Sequence, residues 1–136
     1  LFRGYFPEWR PPGPFVTEDL GRRTADGWEI LGRRDAVIIT GGKKVDPAEV
    51  EALLRSSGCF SDLAVVGVPD PAWGEAVVVA YDAAGGTPDP VRLQAVLGSL
   101  APHKRPKRLV ALADWARSGV GKINRRALAE RLVGQA

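Results

Sequence analysis

The sequence predicts an α+β domain, in which a small, mostly antiparallel sheet is covered by about three helices. Two observations support this prediction. Apolar, β-branched runs at 63–68 and 76–81 are typical of strands buried in a sheet. Asp-Pro pairs at 46–47 and 89–90 supply the cap and first-turn proline of helices, and apolar residues with helical spacing follow each pair. With 136 residues, the chain is long enough for one domain with a buried core.

The first 31 residues differ in composition from the rest of the chain, because prolines interrupt them and no long apolar periodicity is present. Short strands are predicted at Phe15–Thr17 and Trp28–Leu31, on either side of a turn at 26–27. Two short strands alone bury too little apolar surface to be stable. We therefore expect this segment to be the tail of another domain of a longer protein.

The next segment predicts a strand, a turn and a helix. The strand is Val37–Ile39, the turn contains Gly41 and Gly42, and the helix covers 47–57 before a stop at Gly58. Asp46 is the predicted cap of this helix.

The remaining elements come in order along the chain. Leu63–Val68 and Ala76–Tyr81 are predicted to form a hairpin, with Trp73 in its turn. A second helix starts at Pro90, and its apolar residues have helical spacing. Leu109–Leu112 is predicted as a short strand. The last helix begins near Asn124.

The charged side chains are unevenly distributed along the chain. Residues 101–136 carry nine basic and two acidic side chains, whereas residues 51–100 carry two basic and six acidic ones. A basic segment of this kind favours a polyanion, either nucleic acid or a phosphate-rich small molecule such as ATP or CoA.

The histidine and cysteine content limits the possible chemistry. A single cysteine, Cys59, excludes an internal disulfide, and we expect a reducing, cytoplasmic location. Together with a single histidine, His103, it excludes a metal site of several thiolates and imidazoles. No apolar segment has the length of a membrane-spanning helix, and no secretory signal is visible.

Two basic segments are candidates for binding or catalysis. In SGVGKINRR, residues 118–126, a glycine-rich turn presents Lys122 just before a helix. A P-loop is excluded, because Ala116 replaces its first glycine and Ile123 its hydroxyl residue. PHKRPKR, residues 102–108, suits either a solvated loop, a localisation signal or a polyanion site. Nonspecific nucleic-acid binders usually combine such charge with aromatic stacking residues, and no aromatic residue interrupts this segment.

Residues 32–51, GRRDAVIITGGKKVDPAEVE, resemble the hinge motif of the adenylate-forming enzymes. This family includes acyl- and aryl-CoA ligases, peptide-synthetase adenylation domains and luciferases. Its pattern is G-R-x-D-D-x-I-x-x-x-G-x-x-I-x-P-x-E-I-E, and Ala36 replaces the second acid here. TEDLGRRTADGWEILGR at 17–33 and GKINR at 121–125 resemble further motifs of the family, in the same order.

The resemblance implies a division of the chain and roles for its residues. Residues 1–34 would be a remnant of a large nucleotide-binding domain with the hinge, and 35–136 a mobile C-terminal domain. Lys122 would be the catalytic residue and Asp35 the hinge. The implied ATP- or AMP-binding residues are Asp19, Arg33 and Lys122, and the implied CoA-binding residues are Gly41, Gly42, Lys43, Lys104 and Arg105, with Lys107 as a further phosphate contact.

The resemblance also implies substrates and partners. ATP, CoA and a small carboxylic acid would be bound together with the large N-terminal domain of the same chain, and Mg²⁺ would bind outside this segment. The isolated segment is expected to be inactive, and neither nucleic acid nor a membrane is expected as a partner. Two alternatives remain open: a peptide-synthetase adenylation domain, whose acceptor is a carrier protein, and a basic module that binds nucleic acid with a steep salt dependence.

Overall fold

The structure is a computed structural model that describes residues 14, 17, 19–33, 36–115 and 123–133, with the backbone alone at 20 and 30–33. None of the helices in these ranges has the length and apolar character needed to cross a bilayer. The strands are β1 (Asp19–Thr24), β2 (Gly27–Arg33), β3 (Ile38–Thr40), β4 (Lys43–Val45), β5 (Leu63–Asp70), β6 (Gly74–Asp82) and β7 (Arg108–Leu112), and the helices are α1 (Pro47–Ser56), α2 (Pro90–Ser99) and α3 (Arg125–Val133).

The first two strands form an antiparallel hairpin of their own. The predicted strand at Trp28–Leu31 lies within β2, which confirms it. The prediction for its partner was wrong: β1 begins at Asp19, beyond the predicted segment 15–17, of which 15 and 16 lie outside the described residues. The described side chains of β1 are exposed. A strand without a buried face has no apolar alternation in its sequence, and for this reason the sequence pattern did not predict β1. Pairing with β2, including an ion pair of 2.6 Å between Arg22 and Glu29, orders it instead.

The main sheet has β6 at its centre. On one side, β6 pairs with β5 in an antiparallel ladder. On its other side it meets β3 near its start, where Gly74 lies opposite Thr40, and pairs in parallel with β7 over its second half. Because β4 pairs with β3, the strand order is β4-β3-β6-β5, with β7 beside β6. The predicted mostly antiparallel sheet is confirmed, although the sequence patterns did not predict β4.

Helices cover both faces of this sheet, which explains why its two longest strands are continuously apolar. The side chains of Val65 and Val77 pack in a cluster with α1 and α2. Their neighbours Val66 and Val78 point to the opposite face, where they pack with Leu132 of α3. The three predicted helices are therefore confirmed, and with them the α+β class.

Side chains cap the helices where the sequence predicted. Asp46, Asp89 and Asn124 each accept a backbone N–H from two or three residues further on, at 2.9, 2.9 and 3.1 Å. Gly58 follows α1 with φ of +68°, a conformation that few other residues adopt. These local signals set the helix boundaries.

The open edge of β5 is covered by side chains of α1. The Leu63 carbonyl accepts a hydrogen bond of 2.9 Å from the Arg55 guanidinium, and the Val65 N–H donates one of 2.9 Å to Glu51 Oε1. Both backbone groups point away from β6, because alternate residues of an edge strand direct their polar groups outward. Glu51, which is 3% exposed, thus replaces part of a neighbouring strand.

Replacement of Gly67 in β5 by alanine should destabilise the domain by about 1–3 kcal/mol, the usual cost of overpacking. The new Cβ would lie 2.7 Å from Glu75 Oε1 and 3.0 Å from Ile38 Cγ2. Glu75 cannot move freely, because its Oε2 accepts the Ile39 N–H at 2.6 Å. Urea unfolding of the 136-residue chain would measure the loss.

The matched control is Gly98→Ala in α2, where a Cβ meets nothing within 4 Å. Alanine favours a helix over glycine by about 0.5–1 kcal/mol, so this variant should be neutral or slightly more stable. Equal effects of the two substitutions would contradict the close packing of the Glu75 side chain against Gly67.

Candidate functional site: a glycine turn beside a tryptophan

The glycine turn of the hinge-like segment joins β3 and β4 in a tight hairpin. Gly41 and Gly42 are its two loop residues, with φ of +54° and +73°, and Thr40 pairs with Lys43 across the ladder. A two-residue loop with two positive φ angles is the hairpin turn whose twist matches that of the strands, and glycine adopts it without steric cost. The predicted turn is confirmed, and it leads into β4 before α1 begins.

Trp73 packs directly on this turn. The Gly41 N–H donates a hydrogen bond of 2.8 Å to the Trp73 carbonyl, and a Cβ at position 41 would lie 3.0 Å from the indole ring. Asp70 Oδ1 holds the tryptophan from the other side by accepting the N–H groups of residues 72 and 73 at 2.9 and 3.0 Å. The prediction that Trp73 belongs to a packed hairpin turn is confirmed, yet the residue remains 47% exposed.

A cation and a cavity lie next to this tryptophan. Lys107 Nζ is 4.4 Å from the centre of the Trp73 ring, within the range of a cation–π interaction. The adjoining cavity, here called the Trp73 cavity, has a volume of about 260 Å³. It is lined by Thr40, Gly41, Lys43, Trp73, Pro102, His103 and Lys107.

The structure unites some of the predicted CoA-binding residues and separates others. Gly41 and Lys43 line the Trp73 cavity, and Gly42 completes the same turn. Lys104 Nζ instead donates to Glu49 Oε2 at 2.7 Å. Arg105 donates two hydrogen bonds of 3.0 Å to the carbonyls of residues 98 and 100, at the end of α2. Their assignment to CoA stays a prediction.

Trp73 and His103 are site residues that the sequence analysis did not assign to binding. Trp73 reaches the glycine turn because β6 begins beside β3, a contact between residues more than 30 positions apart. A tryptophan within a predicted turn was the available signal, since tryptophan is enriched at binding interfaces. His103 lies within the basic segment 102–108 that the sequence did single out.

The predicted nucleotide-binding and catalytic residues lie elsewhere in the chain. Asp19 and Arg33 are register partners at one end of the β1–β2 hairpin, where Asp19 is exposed. Lys122 and Asp35 lie outside the described residues. The roles of all four remain predictions.

The fold and this site define a class of protein: a small α+β domain with a glycine hairpin, an aromatic face and basic side chains around one cavity. Residues 49–122 match the family model "AMP-binding enzyme C-terminal domain". The chain belongs to this family.

Named relatives agree with that membership. The chain is 39% identical over 116 residues to an indoleacetate–CoA ligase of Aromatoleum aromaticum, covering 83% of this chain and 23% of that protein. It is 35% identical over 121 residues to a 2-succinylbenzoate–CoA ligase of Listeria monocytogenes, covering 88% of this chain and 26% of that protein. The chain thus spans about a quarter of the length of these relatives.

The fold agrees as well. The crystal structure of ATP-bound MatB from Rhodopseudomonas palustris is similar, with a TM-score of 0.77 and 34% sequence identity. The match covers 88% of this chain and 24% of that one.

Replacement of Gly41 by alanine should cost more stability than the same change at Gly42. Both positions have positive φ, which costs alanine about 1–2 kcal/mol. Only at Gly41 does the Cβ also meet the Trp73 ring, whereas at Gly42 it meets nothing within 4 Å. Urea unfolding of the two variants of the 136-residue chain should therefore differ by about 1 kcal/mol or more, the lower range of overpacking costs.

A double-mutant cycle isolates the contact with the ring. When Trp73 is first replaced by alanine, the extra cost at Gly41 should disappear and the two glycine substitutions should become equal. A difference that persists without the indole ring would show that backbone strain, rather than Trp73, distinguishes the two positions.

Proposed function

We propose that this chain is the C-terminal domain of an ATP-dependent acid–CoA ligase. The full protein would first join a carboxylic acid to AMP and then transfer the acyl group from AMP to the thiol of CoA. The observation that carries the proposal is the placement of the glycine turn of the hinge motif beside Trp73 and two lysines, in a chain of the AMP-binding C-terminal family. The two relatives named above, both CoA ligases, support it.

The Trp73 cavity suits one end of CoA. The half-exposed indole of Trp73 offers an apolar contact to the ligand, and Lys43 and Lys107 offer positive charge to phosphates. The glycine turn, without side chains, lets a thin pantetheine arm run close to the backbone. A volume of about 260 Å³ lies below the roughly 300–1,000 Å³ of sites that enclose a whole ligand, so this cavity would hold only part of CoA.

Gly42, Lys104 and Arg105 belong to the same proposed CoA site. Lys104 and Arg105 would reach its phosphates by exchanging their present partners, Glu49 and the end of α2, for the ligand. For Lys104 the exchange would replace one anionic partner, the Glu49 carboxylate, by another, the phosphate.

Lys122 is the proposed catalytic residue of the first half-reaction. A carboxylate oxygen of the acid attacks the α-phosphorus of ATP, and the bond from that phosphorus to pyrophosphate breaks. Negative charge then gathers on the phosphoryl oxygens, and an ammonium group near them stabilises that charge by about 3–4 kcal/mol, by analogy with one oxyanion donor. Asp19 and Arg33 would bind the nucleotide, and Asp35 would be the hinge of the domain.

Among the described residues, no group of three or more His, Cys, Asp or Glu side chains could hold a metal ion. In this proposal Mg²⁺ accompanies ATP and would bind outside this segment.

The acid that fits the sequence best is 2-succinylbenzoate (o-succinylbenzoate), which would place the enzyme in menaquinone or phylloquinone biosynthesis. The segments IITGGKKVDPAEVE, DPAWGE, HKRPKR and GKINR support this choice, as does the 2-succinylbenzoate–CoA ligase relative. The indoleacetate–CoA ligase relative, at 39% identity, supports a different aromatic acid as the alternative substrate.

The test uses the full-length protein with ATP, Mg²⁺, CoA and one of several acids: 2-succinylbenzoate, indoleacetate, benzoate, acetate or octanoate. Pyrophosphate release that depends on the acid, followed by acyl-CoA formation, is the expected result, with 2-succinylbenzoate as the best substrate. Acyl-adenylate that forms but is not passed to CoA would favour a peptide-synthetase adenylation domain. Absence of pyrophosphate release with every acid would contradict the proposal.

Replacement of Lys122 by alanine should abolish the first half-reaction and spare the second. Loss of about 3–4 kcal/mol of transition-state stabilisation corresponds to a decrease of two to three orders of magnitude in acid-dependent pyrophosphate release. Acyl-CoA formation from supplied acyl-adenylate should stay within about twofold of the wild type. An equal loss in both half-reactions would indicate a structural role for Lys122.

Replacement of Lys43 by alanine should raise the KM for CoA, with Lys44→Ala as its matched control. These neighbouring exposed lysines of β4 point to opposite faces, and only Lys43 lines the Trp73 cavity. Loss of one charged contact to phosphate, worth about 1.5 kcal/mol, should raise the KM roughly tenfold without changing the KM for ATP. Equal effects of the two substitutions would place the CoA phosphates elsewhere.

A further inference from the structure

The carboxylate of Glu51 joins three elements of the domain. Its Oε1 accepts the Val65 N–H of β5 at 2.9 Å and a hydrogen bond of 2.7 Å from the Arg125 guanidinium of α3. Its Oε2 accepts one of 3.2 Å from Arg55, one turn later in α1. Because α1 and α3 pack on opposite faces of the sheet, Glu51 and Arg125 meet around the open edge of β5.

The ion pair of Glu51 and Arg125 is a weak source of stability by itself. Burial of a carboxylate costs several kcal/mol before its partners compensate, and well-packed apolar residues often stabilise a protein as much or more. Arg125 adds a cost of its own, since its buried Nε has no hydrogen-bond partner among the described residues. What an ion pair does provide is a defined geometry, because the planar guanidinium donates along fixed directions.

We propose that Glu51 and Arg125 are positioning residues for acyl-adenylate formation, which fix the start of α3 against the edge of β5. This inference rests on the proposed function, in which Lys122 is the catalytic residue. Lys122 precedes Arg125 by three residues, and three residues of extended chain span at most about 11 Å. The place where α3 begins therefore limits where the ammonium group can be delivered.

The pair also connects the two motifs of the sequence. Glu51 is the last residue of the hinge-like segment 32–51, and Arg125 is the last residue of GKINR. The contact between them therefore joins the end of the hinge-like segment to the start of α3. Displacement of a reacting group by about 1 Å can lower a rate about a hundredfold, so a loose start of α3 should affect catalysis before it affects folding.

The experiment measures each half-reaction separately in the full-length protein with Arg125→Ala, Arg125→Lys and Glu51→Gln. Glutamine keeps an acceptor for the Val65 N–H but loses the charge that pairs with Arg125. The matched control is Arg126→Ala, whose side chain is 90% exposed and pairs with Glu130 on the surface of α3. Thermal unfolding of each variant is recorded in parallel.

For Arg125→Ala and Glu51→Gln, acid-dependent pyrophosphate release should fall at least tenfold in kcat, with the KM for ATP within about threefold. Acyl-CoA formation from supplied acyl-adenylate should remain within twofold. Arg125→Lys, which keeps the charge, should recover part of the lost rate, and Arg126→Ala should behave as the wild type. Parallel loss of both half-reactions and of thermal stability, or unchanged pyrophosphate release, would overturn the inference.

Hydrogen exchange provides a readout that does not depend on activity. The amides of Ala127 and Leu128 donate to the Asn124 side chain and carbonyl at 3.1 and 3.0 Å, in the first turn of α3. In Arg125→Ala these amides should exchange at least tenfold faster, while amides between β5 and β6 keep their protection. Unchanged exchange would overturn the anchoring role even in an active enzyme. Wild-type protein that releases no pyrophosphate would instead contradict the proposed function, and the exchange result would still decide the anchoring.

Discussion

One buried carboxylate, that of Glu51, fixes helices from both faces of the sheet to its edge strand. An edge strand exposes unpaired N–H and C=O groups, and burial of such groups without partners costs about as much as a lost hydrogen bond. Glu51 and Arg55 satisfy these groups on β5 from α1, and Arg125 reaches the same carboxylate from α3. Two helices on opposite faces of the sheet are thereby fixed to the same strand. Loss of Glu51 would leave the Val65 N–H without this acceptor and remove the carboxylate that Arg55 and Arg125 share.

The elements predicted correctly are those that local chemistry determines. The continuous apolar runs of β5 and β6 require cover on both faces, and Asp46 and Asp89 mark the helix starts through hydrogen bonds within three residues. The strands that the sequence did not predict are short or polar. In β4 only Val45 is buried after two lysines, and β1 exposes its described side chains to solvent. Both form because a partner strand lies alongside, and no period-2 apolar pattern records that.

In the candidate site, too, the local feature was predicted and the contacts between distant residues were not. The glycine turn is local, so two adjacent glycines before a helix cap were enough to predict it. Its neighbours come from distant parts of the chain. Trp73 lies beside the turn because β6 pairs with β3. Lys107 lies in the loop before β7, and its backbone N–H donates to the Val77 carbonyl at 2.8 Å. The contact between Glu51 and Arg125 joins residues 74 positions apart. The sequence alone offers no local pattern for such pairs, even where each residue belongs to a recognised motif.

The strand order separates two regions that the proposed function uses, the Trp73 cavity and the start of α3. The glycine turn and the Trp73 cavity belong to the β3–β4 end of the sheet, whereas α3 begins at the β5 edge. From β4 to β5 there are three interstrand spacings, which amount to about 14 Å. The phosphorus attacked in the first half-reaction and the carbonyl attacked in the second are neighbours in one acyl-adenylate. Because Glu51 ties α1, β5 and α3 together, the domain would not bring its two ends to that point by internal rearrangement. A rotation of the whole domain would present them in turn, which is the movement that the proposed hinge at Asp35 would allow.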